Sequence, residues 1–399
     1  MRAFPQQGIK SGWNRRRLGH LIQFRNGKDT KSVEAADGAY PVYGSGGEFK
    51  RADAYLYDGP SILFGRKGTL DKPLLVHGKF WTVDTMLYTI PGPEVDPKFV
   101  HYWALTVPYQ VLSTDTAVPS MTSTDLGQLY IHLPKLETQR AIADYLDRET
   151  AEIDAMTADL DELEKLLTEH RNSIATIFIG NLESDPDTRR VSLNVVADLI
   201  SSSVDKKSRE GEPLVRLVNY TDVYYGDTLT ADADYMEATA TPEQIERVGV
   251  RDGDVIFTKD SETADDIGIP ALIRNPDPDM VCGYHLTIAR PRRELINPRY
   301  LYWILMSGQA KSYWTQAANG VTRFSIGSSA TSRLPVVLPP LNRQEKVAAE
   351  IDRETAEIDA MLADITELRD LLAERRAALI AAAVTGQIDI PTAEEPTHA

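Results

Sequence analysis

The longest regular pattern of apolar and polar positions in this chain occurs twice. In residues 136–180, Ile142, Leu146, Ile153, Met156, Leu160, Leu163, Leu167, Ile174 and Ile177 recur at steps of three, four or seven. In residues 341–386, Val347, Ile351, Ile358, Met361, Ile365, Leu368, Leu372 and Leu379 do the same. This 3.5-type period predicts an amphipathic helix with a coiled-coil seam. Glu, Asp and Arg fill most other positions; Pro134 and Pro339/Pro340 precede the two starts, and Gly180 and Gly386 stand at the expected ends. About 40 residues make a rod of roughly 60 Å, and a lone rod with one apolar stripe is unstable in water. Each helix therefore needs a partner: the other helix of the same chain, antiparallel, or a second copy in a parallel homodimer.

Elsewhere the pattern shortens. AYPVYGSGGEF, PSILFGRKGTL and KFWTVDTMLYTIPG read as strands with exposed loops, followed by a helix over KFVHYWALTVPYQVL. In the second half EPLVRLVNYTDVYY, RVGVRDGDVIFTKD and MVCGYHLTIARP read as strands, with a helix over NPRYLYWILMSGQAKSYW. The expected fold class is α+β. Two mixed α/β domains are separated by two long antiparallel coiled-coil helices, with an internal pseudo-twofold repeat.

The repeat is explicit in the residues. DRETAEIDAM stands at 147–156 and again at 352–361, an offset of 205 residues, and Gln139 with Gln344 and Arg171 with Arg376 match at the same offset. Fainter echoes precede each copy: YDGPSILFGRKG against RDGDVIFTKD, DPKFVHYW against NPRYLYWI, and YIHLPKLETQ against PVVLPPLNRQ. The duplicated unit is thus half of the chain, alike in its connectors and divergent before them.

Charge changes the picture once it is located. The net charge of -16 argues against a polyanion ligand, since phosphate contacts need Lys and Arg. By segment, residues 1–135, 136–180, 181–340 and 341–399 carry net +4, -7, -6 and -7. The helical segments with the short tail hold -14 of it. Cys282 is the only cysteine, which excludes an intramolecular disulfide and a cysteine-based zinc site and fits a reducing compartment. Neither a signal-peptide core nor an apolar run of about 18 residues is present, so a cytoplasmic, membrane-free location is expected.

Catalytic patterns are missing: GRKGTLDK lacks the spacing and ending of a phosphate loop, HExxH is absent, and the seven histidines are scattered. NPDP at 275–278 is not the Asn/Asp-Pro-Pro-aromatic motif of amino-methyltransferases, and Asp265 and Asp266 read as loop charges. The loops instead offer groups that read nucleic acid. Glycines let a backbone approach closely, while Arg and Lys bond guanine edges or phosphates. The candidate DNA contacts are Ser45, Lys50, Arg51, Arg66, Lys67 and Thr69 in the first half, and Lys206, Lys207, Lys259, Thr322 and Arg323 in the second.

Trp13 to Gly19, YPVYGSGG, ILFGRKGT, FWTVDTML and LPKLETQRAIADYLD, with the duplicated helix, closely resemble the specificity subunits of type I restriction-modification enzymes. The second half carries VRLVNYTDVY, DGDVIFTK and LPPLNRQEKVAAEID, with FTKD and VCGYHLTI where the first has GRKG and FWTVD. The resemblance implies a chain with no catalysis or cofactor of its own. Residues 1–135 and 181–340 would be target-recognition domains, each reading half of a split, asymmetric site in double-stranded DNA. Residues 136–180 and 341–386 would be conserved spacer helices, and 387–399 a flexible tail. Two modification methyltransferase subunits would bind S-adenosylmethionine, and restriction/translocase subunits would use ATP and Mg. Helix length would set the gap between half-sites, which lie near one DNA turn, about 34 Å, apart. Two rivals remain: a coiled-coil protein-interaction scaffold without DNA preference, which acidic helices suit equally, and a self-sufficient methyltransferase-nuclease, which the missing motifs disfavour.

Overall fold

Asp96-Pro97 and Asn297-Pro298 each start a helix, for the same physical reason. The Asp96 carboxylate accepts the backbone N–H groups of Lys98 and Phe99, at 3.0 and 3.1 Å. The Asn297 side-chain oxygen accepts those of Arg299 and Tyr300, at 2.9 and 3.1 Å. Proline at the first helical position sacrifices no intrahelical bond. These helices, Pro97–Leu105 and Pro298–Met306, hold equivalent places in two compact units of a computed structural model, which describes residues 9–112 and 119–390. The first unit comprises Met1–Asp161 with Thr366–Ala399, and the second Glu162–Ile365. The division falls inside both long helices, which run over Leu136–Asn181 and Leu341–Val384.

In the first unit Asn14–Arg17 pairs antiparallel with Tyr130–Leu133 and closes the segment between them. One four-stranded sheet has the order Ile22–Asn26, Met86–Pro91, Ser61–Gly65, Leu74–Val76. Another has Gly47–Ala52, Tyr40–Gly44, Lys79–Thr82, Tyr57–Asp58, its middle pair parallel. The core joins Leu18, Phe64, Phe99 and Trp103 to Ile142 and Leu146 of the first long helix and Ile380, Ala383 and Val384 of the second.

The second unit repeats this plan. Arg189–Ser192 pairs with Pro335–Leu338. The larger sheet runs Ala197–Ser201, Leu286–Pro291, Val255–Thr258, Pro270–Ile273, Thr228–Leu229. Met236–Thr239, Leu214–Val218 and Met280–Cys282 form the smaller one, again with a parallel pair. Phe257, Tyr300 and Trp314 pack with Ile174, Ile179, Val347 and Ile351.

The leucine-proline segment that leads into each long helix ends in a buried glutamine, and the structure gives its reason. Gln139 accepts the Asp96 N–H at 2.8 Å and donates to the carbonyls of Glu94 and Pro134, both at 3.0 Å. Gln344 accepts the Asn297 N–H at 2.8 Å and donates to Leu295 and Pro339, at 3.0 and 2.8 Å. One side chain thus fastens two helix starts. Asp147 and Asp352, first in the repeated decapeptide, complete the joint: Asp147 takes Lys98 and Tyr102, and Asp352 takes Arg299 and Trp303.

Helix pairing is antiparallel where the first unit shows it. Arg376 pairs with Asp154 and Arg369 with Asp161, so a step of seven forward in one helix is seven back in the other. In the second unit Arg171 bonds Asp359 at 2.6 Å and Asp227 at 2.9 Å. Arg171–Asp359 and Arg376–Asp154 are one ion pair in two copies.

The expected seam needs correction at Met156, Leu163, Ile177, Met361 and Leu368, which are exposed. Ile142, Leu146, Ile153, Val347, Ile351, Ile358, Ile365 and Leu372 are buried, and Leu160 and Leu167 half-buried. Met156, Leu163, Met361 and Leu368 are instead 42, 44, 49 and 44% exposed. The inward places between the apolar ones fall four residues on, at Thr150, Thr157 and Arg171, and at Thr355 and Arg376. Threonine can face inward because its hydroxyl bonds back to the carbonyl four residues earlier, at 2.7 Å for Thr150 and Thr355 and 2.9 Å for Thr157.

Three further expectations change. Gly180 lies within the first helix, whereas Gly386, at φ +75°, ends the second. There the Gln387 N–H reaches Ala382 at 2.8 Å and the Gly386 N–H reaches Ala383 at 3.1 Å. Residues 387–390 are not a loose tail: Ile388 and Ile390 pack on the first core and Asp389 bonds Lys10 at 2.6 Å; the remainder of the expected tail is outside the described residues. Tyr220–Tyr225, expected as strand, is a short helix behind an Asn219/Asp222 capping box.

Candidate nucleic-acid interface

In each unit an interior strand of a sheet runs into one basic residue held by the same backbone bonds. Arg66 follows the strand Ser61–Gly65; its N–H donates to Thr85 at 2.8 Å and its carbonyl accepts Met121 N–H at 3.1 Å. Lys259 follows Val255–Thr258; its N–H donates to His285 at 3.0 Å and its carbonyl accepts Ile326 N–H at 2.9 Å. Arg66 and Lys259 are therefore equivalent, although the surrounding residues differ. Thr85 and His285 are equivalent by the same bonds.

In the first unit Arg66, Lys67 and Thr69 share one loop. Lys67 bridges Ser120, and the Gly68 N–H bonds Pro119 at 3.0 Å. Gly65 is required because a Cβ there would lie 2.0 Å from the Thr69 carbonyl oxygen. Lys67 and Thr69 are exposed and Arg66 half-buried. Ser45, half-buried, lies in the hairpin turn after Tyr43, whose carbonyl accepts the Thr82 hydroxyl at 2.9 Å.

Lys50 and Arg51 do not join this group as free cations. Lys50 bonds Glu34 at 2.8 Å. Arg51 donates to the carbonyls of Gly38 and Ala39, at 3.0 and 2.9 Å, and to Glu48 at 2.9 Å. Both fasten the residues 34–39 to the strand Gly47–Ala52. Glu48 stands three residues before Arg51 on the same strand, whereas Glu34, 16 residues before Lys50, is brought to it only by the fold.

The second unit brings its candidates closer together. Lys206, Lys207 and Lys259 line one open cavity of about 620 Å³ with Ser202, Ser203, Asp205 and Tyr284. Lys206 and Lys207 are exposed, while half-buried Lys259 donates to the Ser202 carbonyl at 3.3 Å. Beside Tyr284, His285 bonds Asp260 at 2.8 Å, and Asp260 accepts Arg323 at 2.7 Å. Thr322, exposed, precedes Arg323 in the hairpin tip. Asp260 and His285 were not singled out from sequence, although FTKD and VCGYHL were set against GRKG and FWTVD; the strand register supplies what that comparison lacked. Asp266, expected as a solvated loop charge, accepts the Tyr224 hydroxyl at 2.9 Å. That bond, with burial, pushes the phenol up to about 12.

Cys282 is fully buried, and burial pushes its thiol up, which leaves it a packing residue. Among the described residues no cluster of His, Cys, Asp and Glu is arranged to hold a metal ion. No helix of the described residues is long and apolar enough to cross a membrane.

Residues 10–165 match the model of the "Type I restriction modification DNA specificity domain". Over 171 residues the chain is 22% identical to the type I restriction enzyme EcoDI specificity subunit of Escherichia coli, a match covering 42% of this chain and 38% of that relative. Similarity of fold extends further. A chain from a structure titled for complex assembly and conformational transition of the type I R-M system matches over 95% of this chain and 99% of its own, with TM-score 0.68 and 18% identity. The HsdS subunit from Thermoanaerobacter tengcongensis matches over 95% of this chain and 98% of its own, with TM-score 0.54 and 18% identity.

Proposed function

We propose that this chain, related in sequence and fold to type I restriction-modification specificity subunits, is the non-catalytic subunit that selects the DNA sequence. Each unit reads one half of a bipartite, asymmetric site in double-stranded DNA. The observation that carries this reading is the equivalence of Arg66 and Lys259: one scaffold, repeated, holds a basic residue at the same backbone position inside two different sets of loops. A shared frame with divergent contacts suits two different half-sites. Lys67 and Thr69 in one unit, and Lys206, Lys207, Thr322 and Arg323 in the other, supply further contacts; Ser45 lies in the turn between the strands Tyr40–Gly44 and Gly47–Ala52 of the first unit.

The long helices recruit partners. Met156, Leu163 and Leu166 are exposed on the first, and Met361, Leu368 and Leu371 repeat them on the second at the offset of 205. Apolar positions duplicated on acidic helices fit two copies of one protein partner. In this reading these are two modification methyltransferase subunits, carrying S-adenosylmethionine, while restriction subunits carry ATP and Mg. The complex works in the cytoplasm.

Selection from random duplexes by the chain with its methyltransferase subunit tests the proposal. Enrichment of two specified tracts is expected, with affinity falling as salt rises, at a log-log slope near -0.9 per neutralised phosphate. A protein-interaction scaffold would enrich no sequence.

A further inference from the structure

Arg323 differs from those arginines of the second unit whose guanidinium is bonded on several sides. Arg216 is taken up by Asp277, Asp279 and the Ala231 carbonyl, and Arg290 by buried Asp254 and the Gly249 carbonyl. The Arg323 side chain is 57% exposed and only its Nη2 is engaged, on an Asp260 carboxylate that is 13% exposed. Nε and Nη1 have no partner among the described residues. The guanidinium also packs against the His285 ring, 3.1 Å from Nδ1, and His285 in turn donates to Asp260.

The backbone fixes this arrangement. Asp260 and Ser261 pair with Ser325 and Phe324, and those pair with Asn319 and Gly320. Gly320, at φ +154°, presses so closely on the Arg323 carbonyl oxygen that a Cβ would lie 2.0 Å from it. The tip is solvent-facing, with Val321 92% exposed. Tyr284, next to His285, lines the cavity of Lys206, Lys207 and Lys259. A strongly basic patch and one oriented planar fork thus share a surface.

We propose that Arg323 reads a guanine in the half-site of the second unit, with Asp260 and His285 as positioning residues. Held by Nη2, the guanidinium offers its other donors to the guanine O6 and N7 acceptors in the major groove, a pairing that needs orientation as well as charge. In the first unit the equivalents of Asp260 and His285 are Lys67 and Thr85, which cannot build this support, so the two half-sites are read by different groups.

The inference rests on the proposed DNA reading, and methylation-motif mapping with the full chain and its methyltransferase subunit separates the two. If the unchanged protein directs no bipartite motif, the functional reading fails. If it does, Arg323→Ala is expected to relax one guanine position in one half-site and weaken binding to the original site about tenfold to a hundredfold. Asp260→Asn should relax the same position less, with thermal melting used to confirm folding. Arg323→Lys should not restore it, whereas Arg293→Ala, which removes an exposed arginine paired with Asp252, should change nothing. Uniform weakening across sequences with rescue by lysine would mean a phosphate contact, and an unaltered motif would mean no contact. Either result overturns the proposal, as does the same relaxation in Arg293→Ala.

Discussion

Replacing residues 14–133 with the corresponding segment of another specificity subunit is expected to change one half of the recognised sequence and leave the other half intact. The boundaries are physical: Asn14 pairs with Leu133 at the ends of an antiparallel strand pair, so the chain enters and leaves the segment side by side. Both sheets of the first unit lie inside it. What it needs from outside is apolar surface at Ile142, Leu146, Ile380, Ala383 and Val384, and a chimera must keep those contacts complementary in volume, since overpacking costs about 1–3 kcal/mol. Methylation mapping of cells carrying the chimera gives the answer directly. A motif altered in both halves would mean that the units do not read independently.

The largest loss of stability is expected at the two glutamine joints. Gln139→Leu strands the Asp96 N–H and the Glu94 and Pro134 carbonyls, and Gln344→Leu strands the Asn297 N–H and the Leu295 and Pro339 carbonyls. A buried polar group without a partner costs about 1–3 kcal/mol; with partial rescue by water, roughly 3–6 kcal/mol per variant follows. Each substitution should lower the melting of its own unit alone, resolving two transitions in calorimetry. A loss below about 1 kcal/mol would show that the joint is not what fastens the helix starts.

The frame was legible in the residues because it obeys local rules. The duplicated decapeptide, the heptad period and the Asp-Pro and Asn-Pro helix starts need no tertiary information. The seam was half-legible: Ile153 and Ile358 face inward as the period requires, but Met156 and Met361 look equally suitable until the threonines and arginines are seen to take the inward places. Tyr220–Tyr225 misled because tyrosine and valine carry strand propensity, which the Asn219/Asp222 capping box outweighs. At the surface, charge type was readable and charge partner was not. Lys50 and Arg51 have the residue types of contacts and the bonds of struts. Asp260 and His285, 25 positions apart, meet only because the strands fix their register.

The claim that each unit reads its own half-site meets its most direct test in genome-wide adenine-methylation mapping, in cells carrying this chain with its methyltransferase subunit. One motif of two specified tracts separated by an unspecified spacer is the predicted result. A single continuous motif, or methylation that does not depend on this chain, would contradict it.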